Sequence, residues 1–134
     1  MRSMRSLLRP ARGSLALLSL VALANAIARA DSGPPVQIRA ARLAELHRWH
    51  IECPPARCAD PKLDVIVVDR FALIDWTNPR ASGQSLLEFA PSKGWYRLAH
   101  GGGEMGKGIL AALTGDAVAQ RLWEQYERYR RRRS

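Results

Sequence analysis

The sequence predicts an α+β domain: an amino-terminal helix, a four-stranded antiparallel meander and two carboxyl-terminal helices packed on the sheet. Three observations lead there. Apolar residues recur at helical spacing between residues 36 and 50, the period falls to two in short runs between residues 63 and 99, and helical spacing returns from residue 105. Helices at both ends of a meander bury one face of the sheet under helix.

Ahead of the domain stands a leader. Arg2, Arg5, Arg9 and Arg12 precede an apolar run, Ser14 to Ala28 (SLALLSLVALANAIA), which is shorter than the roughly 20 residues a bilayer-spanning helix needs. Residues 1–30 therefore read as a cleavable signal peptide, with small residues for cutting at Ala24-Asn25-Ala26 or Ala28-Arg29-Ala30. The second cut starts the mature chain at Asp31, in a periplasmic or secreted location. Residues 31–127 are enough for one small domain, and residues 128–134 form a basic tail.

After the linker Ser32-Gly33-Pro34-Pro35, Val36 to His50 is expected to be helical. At 100° per residue, Val36, Ala40, Leu43, Leu46, His47 and His50 share one side, which predicts that side as the buried one. Pro54 and Pro55 end the helix, because proline lacks the amide donor and clashes with the preceding turn. Leu63, Val65 and Val67 alternate, as do Ala72, Ile74 and Trp76, with Asp69-Arg70 between them, so this segment reads as a hairpin. The loop Asn78 to Gly83 leads to a strand over Ser85 to Ala90, and the turn Pro91-Ser92-Lys93-Gly94 leads to a strand over Trp95 to Ala99. Gly101-Gly102-Gly103 breaks the sheet, Met105 to Leu113 forms a short helix, and Thr114-Gly115-Asp116 stops it and caps the next. Val118, Leu122, Tyr126 and Tyr129 then recur at helical spacing.

The charge argues against a nucleic-acid partner. Of 21 basic residues, five leave with the leader and five lie in the last seven residues, so 11 face all 12 acidic residues in the body. The domain is close to neutral, whereas a nucleic-acid protein carries its basic residues as a patch on the fold. The terminal ERYRRRRS reads as a solvated, disordered tail able to make weak contact with an anionic membrane surface.

HGGGEMGKG imitates three motifs. Gly101, Gly103 and Gly106 satisfy G-x-G-x-x-G, but no second parallel strand follows. Gly101, Gly106 and Lys107 suggest a phosphate loop, but Gly108 stands where the magnesium-binding hydroxyl belongs. His100-Gly101-Gly102-Gly103 resembles an esterase oxyanion loop without a G-x-S-x-G elbow. The glycines read first as a tight strand-to-helix turn, and second as a place where exposed amides could meet an anion. No catalytic group can be assigned by spacing, so the chain is expected not to be an enzyme.

Residues 46 to 58, LHRWHIECPPARC, hold two histidines and the only two cysteines. In an oxidising compartment Cys53 and Cys58 are expected to close a small disulfide loop. The alternative is a copper or zinc site using His47, His50 and the cysteines, since these are suitable donors on one helix side. Met105 is a further soft donor, read first as core.

The run Asp64 to Trp76 (DVIVVDRFALIDW), Gly83-Gln84-Ser85-Leu86-Leu87, Gly94-Trp95, Gly101-Gly102-Gly103 and the following LAALTGDAVAQRL resemble small exported bacterial proteins labelled copper uptake system-associated. That resemblance implies an accessory role in envelope metal handling, with no cofactor fixed and copper as the metal concerned. The expectation is a non-enzymatic accessory or binding protein that contacts an envelope protein or small ligand through Trp76, Trp95 and the Gly101, Gly102 and Gly103 turn. A His/Cys metal carrier, and an inhibitor of a secreted or periplasmic enzyme, are the alternatives.

Overall fold

The structure, a computed structural model, describes residues 31–134; the leader expected over residues 1–30 lies outside them. Helix α1 spans Pro35–Glu52, strands β1 to β4 span Lys62–Val68, Phe71–Thr77, Ser82–Ala90 and Gly94–Gly102, and helices α2 and α3 span Lys107–Thr114 and Asp116–Arg133. The fold is α+β, with an antiparallel sheet in the order β1-β2-β3-β4.

Both faces of the sheet are covered, where alternation predicted one. Leu63, Val65 and Val67 of β1, with Ala72, Ile74 and Trp76 of β2, join Ile38 and Ala41 of α1 in one core. Ile66, Val68, Phe71 and Leu73 face the other way and pack with Leu110 of α2 and Ala119, Leu122, Tyr126 and Tyr129 of α3. Period-two strands accommodate this because both of their residue sets are apolar.

Helix α1 is rotated from its expected setting. Its buried residues are Ile38, Ala41 and Glu45, while Val36 is 76% and Leu43 59% exposed. The helix turns a polar residue inward because Glu45 meets a guanidinium and a hydroxyl on the sheet, described below. A stripe of apolar residues is thereby left in solvent.

The glycine run also departs from expectation. Gly101 and Gly102 continue β4, opposite Gln84 and Gly83, and Gly103, at φ 77°, makes the turn. Its amide donates to the Ser82 carbonyl at 3.2 Å, and the buried Gln84 side chain accepts the Met105 amide at 2.7 Å, fixing the path toward α2. Met105 lies in the core under α2 and α3, as read first. Asp116 falls in the first turn of α3 rather than capping it.

Helix α3 runs through Arg133, so residues 128–133 are its last turns rather than a disordered tail. Tyr129 is buried there, and Arg130 pairs with Glu104 and Glu127. The alternation of Tyr126 and Tyr129 with arginines keeps one side of this basic segment on the sheet.

Candidate functional site

The α1 face of the sheet carries a polar network that sequence spacing did not reveal. Glu45, with no exposed side-chain surface, accepts the Ser85 hydroxyl at 2.7 Å and Arg97 Nη2 at 2.6 Å. Arg97 Nη1 reaches on to Glu52 at 2.7 Å, so one guanidinium from β4 ties two turns of α1 to the sheet. His100 Nδ1 lies 2.8 Å from the Ser85 hydroxyl oxygen. With the serine proton directed at Glu45, the imidazole meets that oxygen as a donor, which leaves Nε2 as the ring's acceptor.

A bulge makes this convergence happen. Leu87 pairs with Arg97 and Leu86 with Ala99, so Leu98 is the extra residue in β4. Arg97 and His100 are three apart and would point to opposite faces of a regular strand; the insertion brings both to the α1 face.

Three rings close over the network. The His100 imidazole stacks on Trp76 with centroids 5.3 Å apart, and Trp49 meets both edge-on at 5.6 and 5.2 Å. Burial, with the Arg97 charge in support, holds the His100 imidazole below its ordinary range, and the Glu45 charge opposes this. Serine, histidine and glutamate together invite comparison with a hydrolytic triad. Here the serine stands between the acid and the imidazole, contacts Nδ1 and is fully buried, so it cannot reach a substrate. The trio clamps helix to sheet.

Trp76 and Trp95 are on the same face but at opposite ends of the sheet. Trp76 pairs in register with Gly83, and Trp95 with Phe89 at the far end of β3. Trp76 is 5% exposed and belongs to the core. Trp95 is half-buried, packs against the 40% exposed Phe89, and helps line a cavity of 780 Å³. Val36 and Ala40 of α1 and Val67 and Val68 of β1 also line that cavity, with Asp69, Arg70 and Arg121 as its charged walls. The expected surface of Trp76, Trp95 and Gly101 to Gly103 is thus divided: the Trp95 end is open and the Trp76 end is filled by aromatic packing.

On the opposite face, Asp64 and Asp75 are cross-strand partners in β1 and β2. The Tyr129 hydroxyl donates to Asp64 at 2.5 Å and lies 3.2 Å from Asp75, and Arg133 donates to Asp75 at 3.2 Å and to the Tyr129 oxygen at 2.6 Å. Burial first, and the neighbouring Asp64 charge, push the Asp75 carboxyl above its ordinary range. Burial and the bond to Asp64 push the Tyr129 phenol up, so it keeps its proton.

Cys53 and Cys58 lie at disulfide distance, with Cα atoms 5.9 Å apart. His47 is exposed, whereas His50 Nε2 lies 2.7 Å from Asp60. The pairing of the two sulfurs is the one expected from the sequence; of the alternative donor set, the structure gives His50 a carboxylate partner. Among the described residues no group of three or more His, Cys, Asp or Glu side chains is placed to hold a metal ion, and no helix is long and apolar enough to cross a membrane.

Compared with known proteins, the chain matches no family model, no curated protein and no solved structure.

Proposed function

We propose that this chain is a small exported accessory protein of the cell envelope that works by contact rather than catalysis, docking an acidic, apolar segment of a partner protein on α1 and the Trp95 end of the sheet. The observation that carries this reading is the bare stripe of Val36, Ala40 and Leu43 running into the 780 Å³ cavity beside Phe89 and Trp95. Apolar surface of this kind, continuous with a concave site, marks interaction surfaces more often than chance exposure does.

Charge selects the partner. The acidic residues of α1 are Glu45 and Glu52, and both are engaged by Arg97. What α1 offers to solvent beside the stripe is the Arg39 guanidinium; Arg48, on another side of the helix, is paired with Glu52 at 3.4 Å. An apolar segment flanked by Asp or Glu complements it. Export is supported by the cysteine pair, since such bonds persist outside the reducing cytoplasm. The link to copper handling rests on the sequence resemblance alone. A metal carrier through His47 and His50 is the weaker reading, because Asp60 and the paired sulfurs occupy its proposed donors.

Native mass spectrometry of the protein recovered from the envelope tests the proposal. The expected result is a bound protein that is lost from the Val36→Asp/Phe89→Asp variant while folding is retained. Equal recovery of the partner with that variant, or a lone chain under all gentle conditions, contradicts it.

A further inference from the structure

A second cavity, of 330 Å³, lies at the other end of α1, between the disulfide loop and the β2–β3 turn. Its walls are apolar where Trp49, Pro61, Pro79 and the Cys53–Cys58 pair contribute, and basic where Arg57 and Arg80 do. Neither arginine side chain has a hydrogen-bond or ion-pair partner among the described residues. The acid that lines the same space, Asp60, is held by His50 at 2.7 Å.

Both arginines stand on fixed backbone. The Arg57 and Cys58 amides donate to the Pro54 carbonyl at 2.9 and 3.1 Å, inside a loop closed by the cysteine pair. The Asn78 side chain accepts the Arg80 and Ala81 amides at 2.9 and 2.8 Å, which sets the opposing turn. Two guanidinium-bearing positions are therefore presented to one small apolar space without the cost of ordering their main chain on binding. The indole N–H of Trp49 is in addition buried with no acceptor.

We propose that this cavity binds a small organic anion, a carboxylate or phosphate monoester with a compact apolar body. Arg57 and Arg80 take the anionic group, for which the planar guanidinium fork is suited. Trp49, Pro61 and Pro79 take the body. The volume is at the lower end of the roughly 300–1,000 Å³ that small-molecule sites occupy, which limits the body to about one ring. Because the cysteine pair fixes the loop that carries Arg57, the oxidised protein binds more tightly than the reduced one. This site and the Trp95 end are independent, so either can fail without the other.

The test is a titration of the protein purified from cells producing the full chain, read by the indole N–H resonance of Trp49. Phenyl phosphate and benzoate are the charged probes and benzyl alcohol is the neutral control. The expected result is a saturable shift with at least one charged probe, at least tenfold weaker in the Arg57→Ala/Arg80→Ala variant and several-fold weaker after reduction. Both arginines are exposed, so that variant keeps its fold, which circular dichroism verifies. A Trp49 resonance that responds no more to either charged probe than to benzyl alcohol, or equal binding by the double variant, overturns the proposal.

Discussion

Glu45 and Arg97 meet at 2.6 Å across the interface between the first helix and the last strand, with the carboxylate wholly withdrawn from solvent. The pair explains why α1 turns a charged residue inward and leaves Val36 and Leu43 outside. A buried ion pair is costly to break from one side: without Glu45, Arg97 keeps only the partly exposed Glu52 as its carboxylate partner, and the buried Ser85 hydroxyl loses its acceptor. Glu45→Ala is expected to destabilise the fold by about 3–5 kcal/mol, measured by urea unfolding. Replacing Glu45 and Arg97 together with Met is expected to recover most of that loss.

Acid should weaken the fold through His100. Its imidazole is held below the ordinary range in the folded state by burial and by Arg97, so the folded state takes up the proton less readily than the unfolded chain does. Above the unfolded value, near pH 6.5, this group adds no pH dependence. Stability is expected to fall as the pH drops below about 6.5, until the folded imidazole itself protonates. In His100→Asn that part of the slope disappears, while the slope due to the carboxylates remains; thermal melts at stepped pH separate the two.

One glycine is demanded by packing. A Cβ at Gly83 would lie 2.0 Å from the Gly101 carbonyl oxygen and 2.4 Å from Trp76 Cζ2, whereas a Cβ at Gly101 meets nothing within 4 Å. Gly83→Ala is expected to cost about 3 kcal/mol or more, at the upper end of overpacking, and to disturb the Trp76 and His100 stack. Gly101→Ala should change stability by less than about 1 kcal/mol. Near-ultraviolet circular dichroism, together with melting, reads both effects.

The rotation of α1 predicts an inversion of ordinary hydrophobic logic. Ile38 is 7% exposed and Val36 76%, so Ile38→Ala should cost about 2–5 kcal/mol, and Val36→Ala about 0.5 kcal/mol or less. Equal losses would place Val36 in the core, as helical periodicity alone suggests.

Element type was legible in the sequence, because the change from period 3.6 to period two and back is set by local side-chain pattern. The hairpin through Asp69-Arg70 and the turn before Trp95 could be read from the same signals. The facing of α1 was not legible. Val36, Ala40, Leu43 and Leu46 form the more apolar stripe, and Glu45 goes inward only because Arg97 and Ser85 wait on strands distant in sequence. The second apolar face of the sheet was hidden in the same way: Ile66, Val68 and Leu73 were the between-positions of an alternating pattern, and their apolarity was the available signal for a second covering layer.

The polar network was invisible for a geometric reason. Arg97 and His100 share a face through the extra residue at Leu98, and no residue pattern in Trp95 to His100 announces a bulge. Asp64 and Asp75 left a fainter trace, as lone acids in the middle of apolar strands that need a buried partner. Tyr129 supplies it, from a segment whose arginines made it look like solvent-facing tail. The charge run was read correctly as composition, but its tyrosine spacing outweighed it.

The proposed docking surface is tested most directly by photo-crosslinking in intact cells, with a photoreactive residue placed at Val36 and, as control, at the exposed Gln120 on the outer side of α3. The account predicts a discrete protein adduct from Val36, with an acidic, apolar segment at the point of attachment, and no such adduct from Gln120. A Val36 probe that yields only uncrosslinked chain, or the same products as Gln120, would contradict it.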